Sequence, residues 1–127
     1  MKYGFSKNVT LSYEETIDKV TGELKKEGFG VLTKIDVKDT LKNKIDVEFK
    51  KYSILGACNP TLAYKALQTE EDIGLLLPCN VVVYEKDEKS VVSVFNPSLM
   101  KEIVSNENIH SIADEVNEKL HKVLERV

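Results

Sequence analysis

The stretch NVVVYE at 80–85, the charged segment KDEK at 86–89 and the stretch SVVSVF at 90–95 decide the fold class. The two outer stretches are rich in β-branched and aromatic residues, and a short charged segment separates them, which is typical of a β-hairpin. Both faces of the run 81–83 are apolar, which predicts that this strand lies centrally in its sheet. The rest of the chain must therefore supply the other strands and the cover of a β-sheet.

Helical patterns lie on both sides of this hairpin. An early helix follows Ser12-Tyr13-Glu14-Glu15, which has the form of a capping box, and it is expected to end at Gly28. Asn59-Pro60 predicts the start of another helix, with Asn as the cap and Pro in the first helical position. Its inward-facing residues are predicted to be Leu62, Ala63, Ala66 and Leu67. The final helix is predicted over 107–126, where apolar residues form one stripe: Ile109, Ile112, Ala113, Val116, Leu120, Val123, Leu124 and Val127.

The remaining strands are predicted over 2–6, 29–37 and 51–57. Alternation of apolar and polar residues is clearest in the second of these. The stretch between the second and third is ambiguous, because it fits both a helix and a strand. We predict a short helix over 39–45, capped by Asp39.

A connector at 69–77 and a short helical piece after Asn96-Pro97 complete the pattern. The element order is then β-α-β-α-β-α-β-β-α, which favours an α+β fold. We predict one domain over 1–127, built as a two-layer sandwich. Its sheet is expected to be mixed or antiparallel, with about four to five strands and the helices on one face.

Composition excludes several classes of protein. The chain is 42% hydrophobic and 31% charged, with a net charge of −3, and its Lys and Glu residues are interspersed. Binding to nucleic acid or to an anionic membrane needs a concentrated basic surface, so neither is expected. No apolar run approaches the ~18 residues of a membrane span, and no apolar leader follows the first residues, so we expect a cytoplasmic protein. In that reducing compartment, its two cysteines are expected to be thiols, ligands or buried small hydrophobic residues rather than a structural disulfide.

Two segments combine Cys, Asn and Pro where one element ends and the next begins. They are LGACNP at 55–60 and LLPCN at 76–80. The first cysteine precedes a helix N-terminus, where the dipole and free amides favour a thiolate. A glycine just before it would let a ligand or partner approach the backbone. The predicted binding residues are Gly56, Cys58, Asn59, Pro60, Cys79 and Asn80.

The same segments resemble those of the family called domain of unknown function 302. The matching residues are ILGACNP at 54–60 and IGLLLPCN at 73–80, and looser agreement extends over nearly the whole chain. Asp46 departs from the glycine of many members, which concerns only a turn. The resemblance implies a compact α/β sandwich that forms a homodimer. The resemblance does not point to a particular reaction, and it leaves any cofactor unknown.

Three function classes remain open, and the sequence alone does not say whether the protein is an enzyme. The first is a binding or assembly module with a ligand or partner cleft near the two segments. The second is a thiol-dependent enzyme or redox carrier, with Cys58 as the candidate catalytic thiol and Cys79 as its partner. The third is a metal-binding domain that uses both thiols. His110 and His121 lie eleven positions apart on the last helix, too far apart to chelate one ion together, and both are expected to be solvated.

Overall fold

A computed structural model describes residues 2–127. Its elements in chain order are β1 (Gly4–Val9), α1 (Tyr13–Lys26), β2 (Gly30–Asp36), α2 (Val37–Ile45), β3 (Tyr52–Cys58), α3 (Pro60–Thr69), a 3-10 helix (Glu71–Leu76), β4 (Cys79–Lys86), β5 (Lys89–Phe95), a 3-10 turn (Pro97–Leu99), α4 (Met100–Ile103) and α5 (Glu107–Arg126). The predicted α+β class and element order are confirmed.

The sheet has five strands in the order β1-β5-β4-β3-β2, and each neighbouring pair is antiparallel. The predicted hairpin is β4–β5, and its turn residues Asp87 and Glu88 both have positive φ, as a two-residue hairpin requires. The strand β4 lies third of five, which confirms its predicted central position.

Three helices cover one face of the sheet. The helices α1 and α5 pack on each other and on the central strands, and α3 packs on α5. The side chains of Val81, Val83, Val92 and Leu55 that face these helices are almost completely buried. Their burial, together with the apolar stripe of α5, forms the main hydrophobic core.

Several helix ends follow from local chemistry. The Ser12 hydroxyl accepts a hydrogen bond from the Glu15 amide at 3.1 Å, as the capping box predicts. Gly28 follows the end of α1 with φ of 84°, a conformation that glycine adopts at little cost. The Lys7 ammonium reaches across from β1 and donates to three carbonyls at the end of α5, at 3.0–3.2 Å. These contacts satisfy backbone groups that a helix end leaves unpaired.

Three local predictions were wrong. The first strand runs over Gly4–Val9 rather than 2–6, because pairing with β5 extends it through its polar residues. Asp36, not Asp39, caps α2, since its carboxylate accepts from the Asp39 amide at 3.0 Å. Leu67 is exposed rather than inward-facing. The predicted connector 69–77 does join α3 to β4, and it contains the 3-10 helix Glu71–Leu76.

The opposite face of the sheet is less deeply buried than the face that the helices cover. Register places Tyr52 beside Tyr84, and Ile54 beside Val82, on this second face. These four side chains remain only partly buried. We call this second surface of the sheet the open face.

Candidate functional site

A narrow apolar cavity lies between the sheet and the helices α3 and α5. The volume that the centre of a water-sized sphere can reach is about 30 Å³. Residues that line it include Cys58, Asn59, Ala63, Cys79, Met100 and Ala113. Three of the six predicted binding residues, Cys58, Asn59 and Cys79, belong to this lining, and most of the other lining residues are apolar.

Antiparallel pairing brings the two cysteines together at this cavity. Ala57 of β3 pairs with Cys79 of β4, and Cys58 is the next residue along β3. The Cys79 side chain is buried and that of Cys58 is half-buried. Both are free thiols, and a charge on one affects the titration of the other.

The electrostatics of these thiols favour the protonated form. Burial raises the pKa of the Cys58 thiol. Burial, with a smaller contribution from the nearby Cys58, raises the pKa of Cys79 to about 11. This direction is opposite to the lowering expected from a helix N-terminus. The Asn59 side chain and carbonyl already accept from the first available amides of α3, which leaves fewer donors for a thiolate.

Asn59 joins two helix ends. Its Oδ1 accepts from the Leu62 amide at 3.2 Å, which is the predicted cap of α3. Its Nδ2 donates to the Glu27 carbonyl at the end of α1, at 3.4 Å. Pro60 occupies the first helical position, as predicted, and is exposed outside the cavity. The Asn-Pro pair therefore has a structural role that is independent of any ligand.

Gly56 and Asn80 lie away from the cavity. They pair with each other one position before Ala57 and one after Cys79, so strand alternation directs them to the open face. A Cβ on Gly56 would come within 2.9 Å of Pro78 Cγ and would also clash with the Thr33 hydroxyl. Glycine is therefore required at position 56, because the side chains of Thr33 and Pro78 occupy the space that a Cβ would fill. Asn80 is exposed and borders a shallow depression on the open face.

The histidines lie elsewhere and are half-buried rather than solvated. A ring nitrogen of His110 lies 2.6 Å from the Val104 carbonyl, and the His121 ring packs on Phe5 with centroids 4.3 Å apart. Among residues 2–127, no group of three or more His, Cys, Asp and Glu side chains is placed to hold a metal ion. Within the same residues, no helix is long and apolar enough to cross a membrane.

Some cavity residues were not predicted as site residues. Met100 and Ile109 line the cavity from α4 and α5, and Phe29 lines it from the residue just before β2. Ile109 belongs to the apolar stripe of the last helix, so its burial was expected but its contact with the cysteine segments was not. That contact depends on how α5 crosses the sheet, which side-chain periodicity alone does not determine.

Comparison with known proteins gives a family. The family model described as "Domain of unknown function DUF302" matches residues 5–127. A solved structure, described as an uncharacterized conserved protein DUF302 from Bacillus stearothermophilus, matches with a TM-score of 0.91 and 28% sequence identity. The match covers 99% of this chain and 98% of the other. No curated protein matches the chain.

Proposed function

The chain belongs to the family described as domain of unknown function DUF302, and from this premise we propose that it is a one-domain binding module, acting as a homodimer in the cytoplasm. It holds a small uncharged ligand in the cavity beside Cys58. The observation that carries this proposal is the convergence of Cys58, Asn59 and Cys79 on one apolar cavity. Such a cavity with few polar groups is the usual form of a small-molecule site.

The chemistry of the lining selects the class of ligand. Raised pKa values keep both thiols neutral near pH 7, and Asn59 already uses its oxygen and its amide nitrogen within the protein. A charged ligand would lose its hydration without gaining a counter-charge, which is costly. The occupant is therefore uncharged and mostly apolar.

The volume of the cavity limits the size of the ligand. About 30 Å³ of sphere-centre volume holds roughly two or three water-sized spheres at about 10–15 Å³ each. A ligand as large as one aromatic ring must push lining side chains apart. Met100 lies in the lining, and methionine is the side chain that adapts most readily to such a change.

Toluene is a suitable probe, and its binding can be followed by NMR of the alanine methyl groups. We expect saturable shifts at the cavity residues Ala63, Ala66 and Ala113. Ala63→Leu should abolish them by filling the cavity. Gln68→Leu adds a leucine on the exposed side of the same helix and should leave binding unchanged. Absence of saturable shifts in the natural chain, or equal loss in both variants, would contradict a ligand site here.

A thiol redox carrier is the second candidate, supported by the two cysteines at one cavity. In the step required, Cys58 and Cys79 lose two protons and two electrons and form a disulfide, while glutathione disulfide is reduced to two glutathione molecules. The raised pKa values oppose this role, because the thiolate is the attacking species. Alkylation by iodoacetamide at pH 6 that is faster than that of free glutathione would favour it over the binding module. Near-stoichiometric metal in freshly purified protein would favour the metal-binding alternative instead.

A further inference from the structure

The cavity beside Cys58 is elongated along two helices. Its lining residues on α3 and the cap of that helix run from Asn59 to Ala66, and those on α5 run from Ile109 to Val116. In both helices they occupy the i, i+3, i+4 and i+7 positions, which form a single helix face. At about 1.5 Å per residue, the cavity therefore follows each helix for about 10 Å.

The cavity is narrow for its length. Its volume of about 30 Å³ for the centre of a water-sized sphere is distributed over about 10 Å of helix, which leaves an average cross-section of roughly 3 Å² for that centre. The passage is therefore about one such sphere wide. Small side chains account for the gap, since Ala63 and Ala66 of α3 and Ala113 of α5 line it where the two helices pack together.

The two ends of the cavity lie in different hydrophobic clusters. At the Asn59 end, the lining residues Leu62, Cys79 and Val116 belong to the main core. At the Ala66 end, the lining residues belong to a second, smaller cluster: Ala66, Ile73, Met100 and Ile109. The cavity is thus the seam between two separately packed groups of side chains. Such a seam widens by a small movement of one cluster against the other, without disruption of either.

Burial and polarity also differ between the ends. Cys58 and Asn59 are half-buried, and their end of the cavity also holds the Cys79 thiol. At the other end, Ile73, Met100 and Ile109 are almost completely buried and purely apolar or thioether side chains. A ligand therefore enters beside Cys58, and its innermost part lies against the smaller cluster.

The shape of the cavity favours a chain over a ring. A ring is several atoms wide, so it would separate α3 from α5 and remove contacts that a closely packed interior makes. A methylene chain is one carbon atom wide, so it needs the least widening. About eight carbon atoms, joined in a zigzag by bonds of about 1.5 Å, span a length of about 10 Å. Each methylene that enters also leaves water, which is favourable.

The half-buried end determines the group at the end of the chain. A hydroxyl beside Cys58 can exchange hydrogen bonds with the thiol, a weak donor and acceptor, and with water. At the Met100 end it would lose its hydrogen bonds to water without replacement. We infer that the occupant is an unbranched aliphatic chain of about eight carbon atoms with a small uncharged polar end group, such as a primary alcohol. The polar end lies beside Cys58 and the chain extends toward Met100; this inference rests on the binding module proposed above and identifies its class of ligand.

A series of straight-chain primary alcohols from 1-butanol to 1-decanol tests this inference on the natural chain, with binding followed by NMR of the alanine methyl groups. Affinity should rise about fourfold with each added methylene and stop rising near about eight carbons, where the cavity is full. Cyclooctanol has the carbon number and hydroxyl of 1-octanol in a ring, and it should bind at least about tenfold more weakly because it overpacks the cavity. 1-Butanol should shift the Ala63 methyl and leave that of Ala66 unchanged, since its hydroxyl stays beside Cys58.

A matched pair of variants tests where the chain ends. Ala66→Val narrows the Met100 end of the cavity, so the affinity should stop rising about two carbons earlier. Gln68→Leu changes an exposed position of the same helix, so its affinities should match those of the natural chain throughout the series.

The outcomes separate this inference from the proposed function. A limit near eight carbons that only Ala66→Val shortens, with weak binding of cyclooctanol, supports the inference. Affinities that do not depend on chain length, or equal binding of cyclooctanol and 1-octanol, overturn it, and toluene binding then still supports the binding module. Equal shifts of Ala63 and Ala66 by 1-butanol overturn the direction assigned to the chain. Failure of both toluene and the alcohols to bind overturns both proposals.

Discussion

The two faces of one sheet differ in almost every respect. Val81 and Val83 point toward the helices and are fully buried, whereas Val82 between them lies on the open face and is only partly buried. All three are valine, so the sequence of β4 alone does not distinguish a face that folding covers from one that folding leaves uncovered. The two faces differ because the helices α1 and α5 pack on only one of them.

The helices α3 and α2 show the same contrast. Both begin at a side-chain cap, Asn59 for α3 and Asp36 for α2. The first buries Leu62 and Ala66, and the second buries nothing. Local sequence thus starts both helices equally well, but only α3 is held by the core.

The largest difference in stability is expected between substitutions of two leucines on neighbouring strands. Leu55→Ala removes a side chain that is 1% exposed and should reduce the free energy of unfolding by about 2–5 kcal/mol. Leu32→Ala removes one that is 66% exposed and should change it by less than about 0.5 kcal/mol. Urea denaturation of both variants and the natural chain at one fixed, low protein concentration measures both. Equal losses would mean that the segment 30–50, which contains no buried residue and which we call the arm, is part of the folded core after all.

A smaller difference in stability is expected between substitutions of the two helix-capping residues, Asn59 and Asp36. Asn59→Ala removes the cap of α3 and the bond to the Glu27 carbonyl, and it should cost about 1–2 kcal/mol of global stability. Asp36→Ala should instead increase amide hydrogen exchange in α2 alone, with little change in global stability. Asn59→Asp keeps the acceptor and loses the donor, so its stability should lie between those of Asn59→Ala and the natural chain. Global destabilisation by Asp36→Ala would remove the proposed difference between core and arm.

The smallest effect concerns pH. Hydrogen bonds from Lys26 and Arg126 lower the pKa values of Glu23 and Glu27, respectively, below the ordinary 4.5. Their stabilisation is complete above pH 4.5 and is lost as the pH falls through the folded-state values. In the arm, Asp46 raises the pKa of Lys42 above 10.5, so its contribution is complete below that pH and is lost as the pH rises through the folded-state value.

We therefore expect acid to weaken the helix layer and alkali to loosen the arm. Thermal unfolding of Glu27→Gln and Lys42→Met across pH 3–11 checks this, because Glu27→Gln should reduce the acid limb of the pH dependence and Lys42→Met the alkaline limb. High salt should reduce both effects, since the pairs are near the surface. A Glu27→Gln variant with an unchanged acid limb would contradict the assignment to this carboxylate.

Much of the fold was predictable because its helix ends have local causes. Ser12 and Asn59 cap helices where their neighbours predicted it, and the apolar stripe of α5 marks its buried side. Asp46 stands where many family members have glycine, and it adopts a positive φ of 54° at the end of α2. Asp tolerates this conformation better than most residues, so the chain can turn here without glycine.

The candidate site was less predictable because it depends on register. Whether Cys58 and Cys79 meet is decided by the antiparallel pairing of β3 with β4, which neither segment encodes alone. The same register separates Asn80 from Cys79, since adjacent residues of a strand point to opposite faces. The short polar strand β1 was misplaced because its extent is set by β5, its pairing partner.

The stacked tyrosines of the open face have an optical consequence. The chain contains five tyrosines and no tryptophan, so its near-ultraviolet circular dichroism and its fluorescence arise mainly from tyrosine. Two of these five chromophores, Tyr52 and Tyr84, lie in a nearly parallel stack. Any event that covers or separates this pair is therefore visible in the unlabelled protein, which carries its own spectroscopic reporter on the open face.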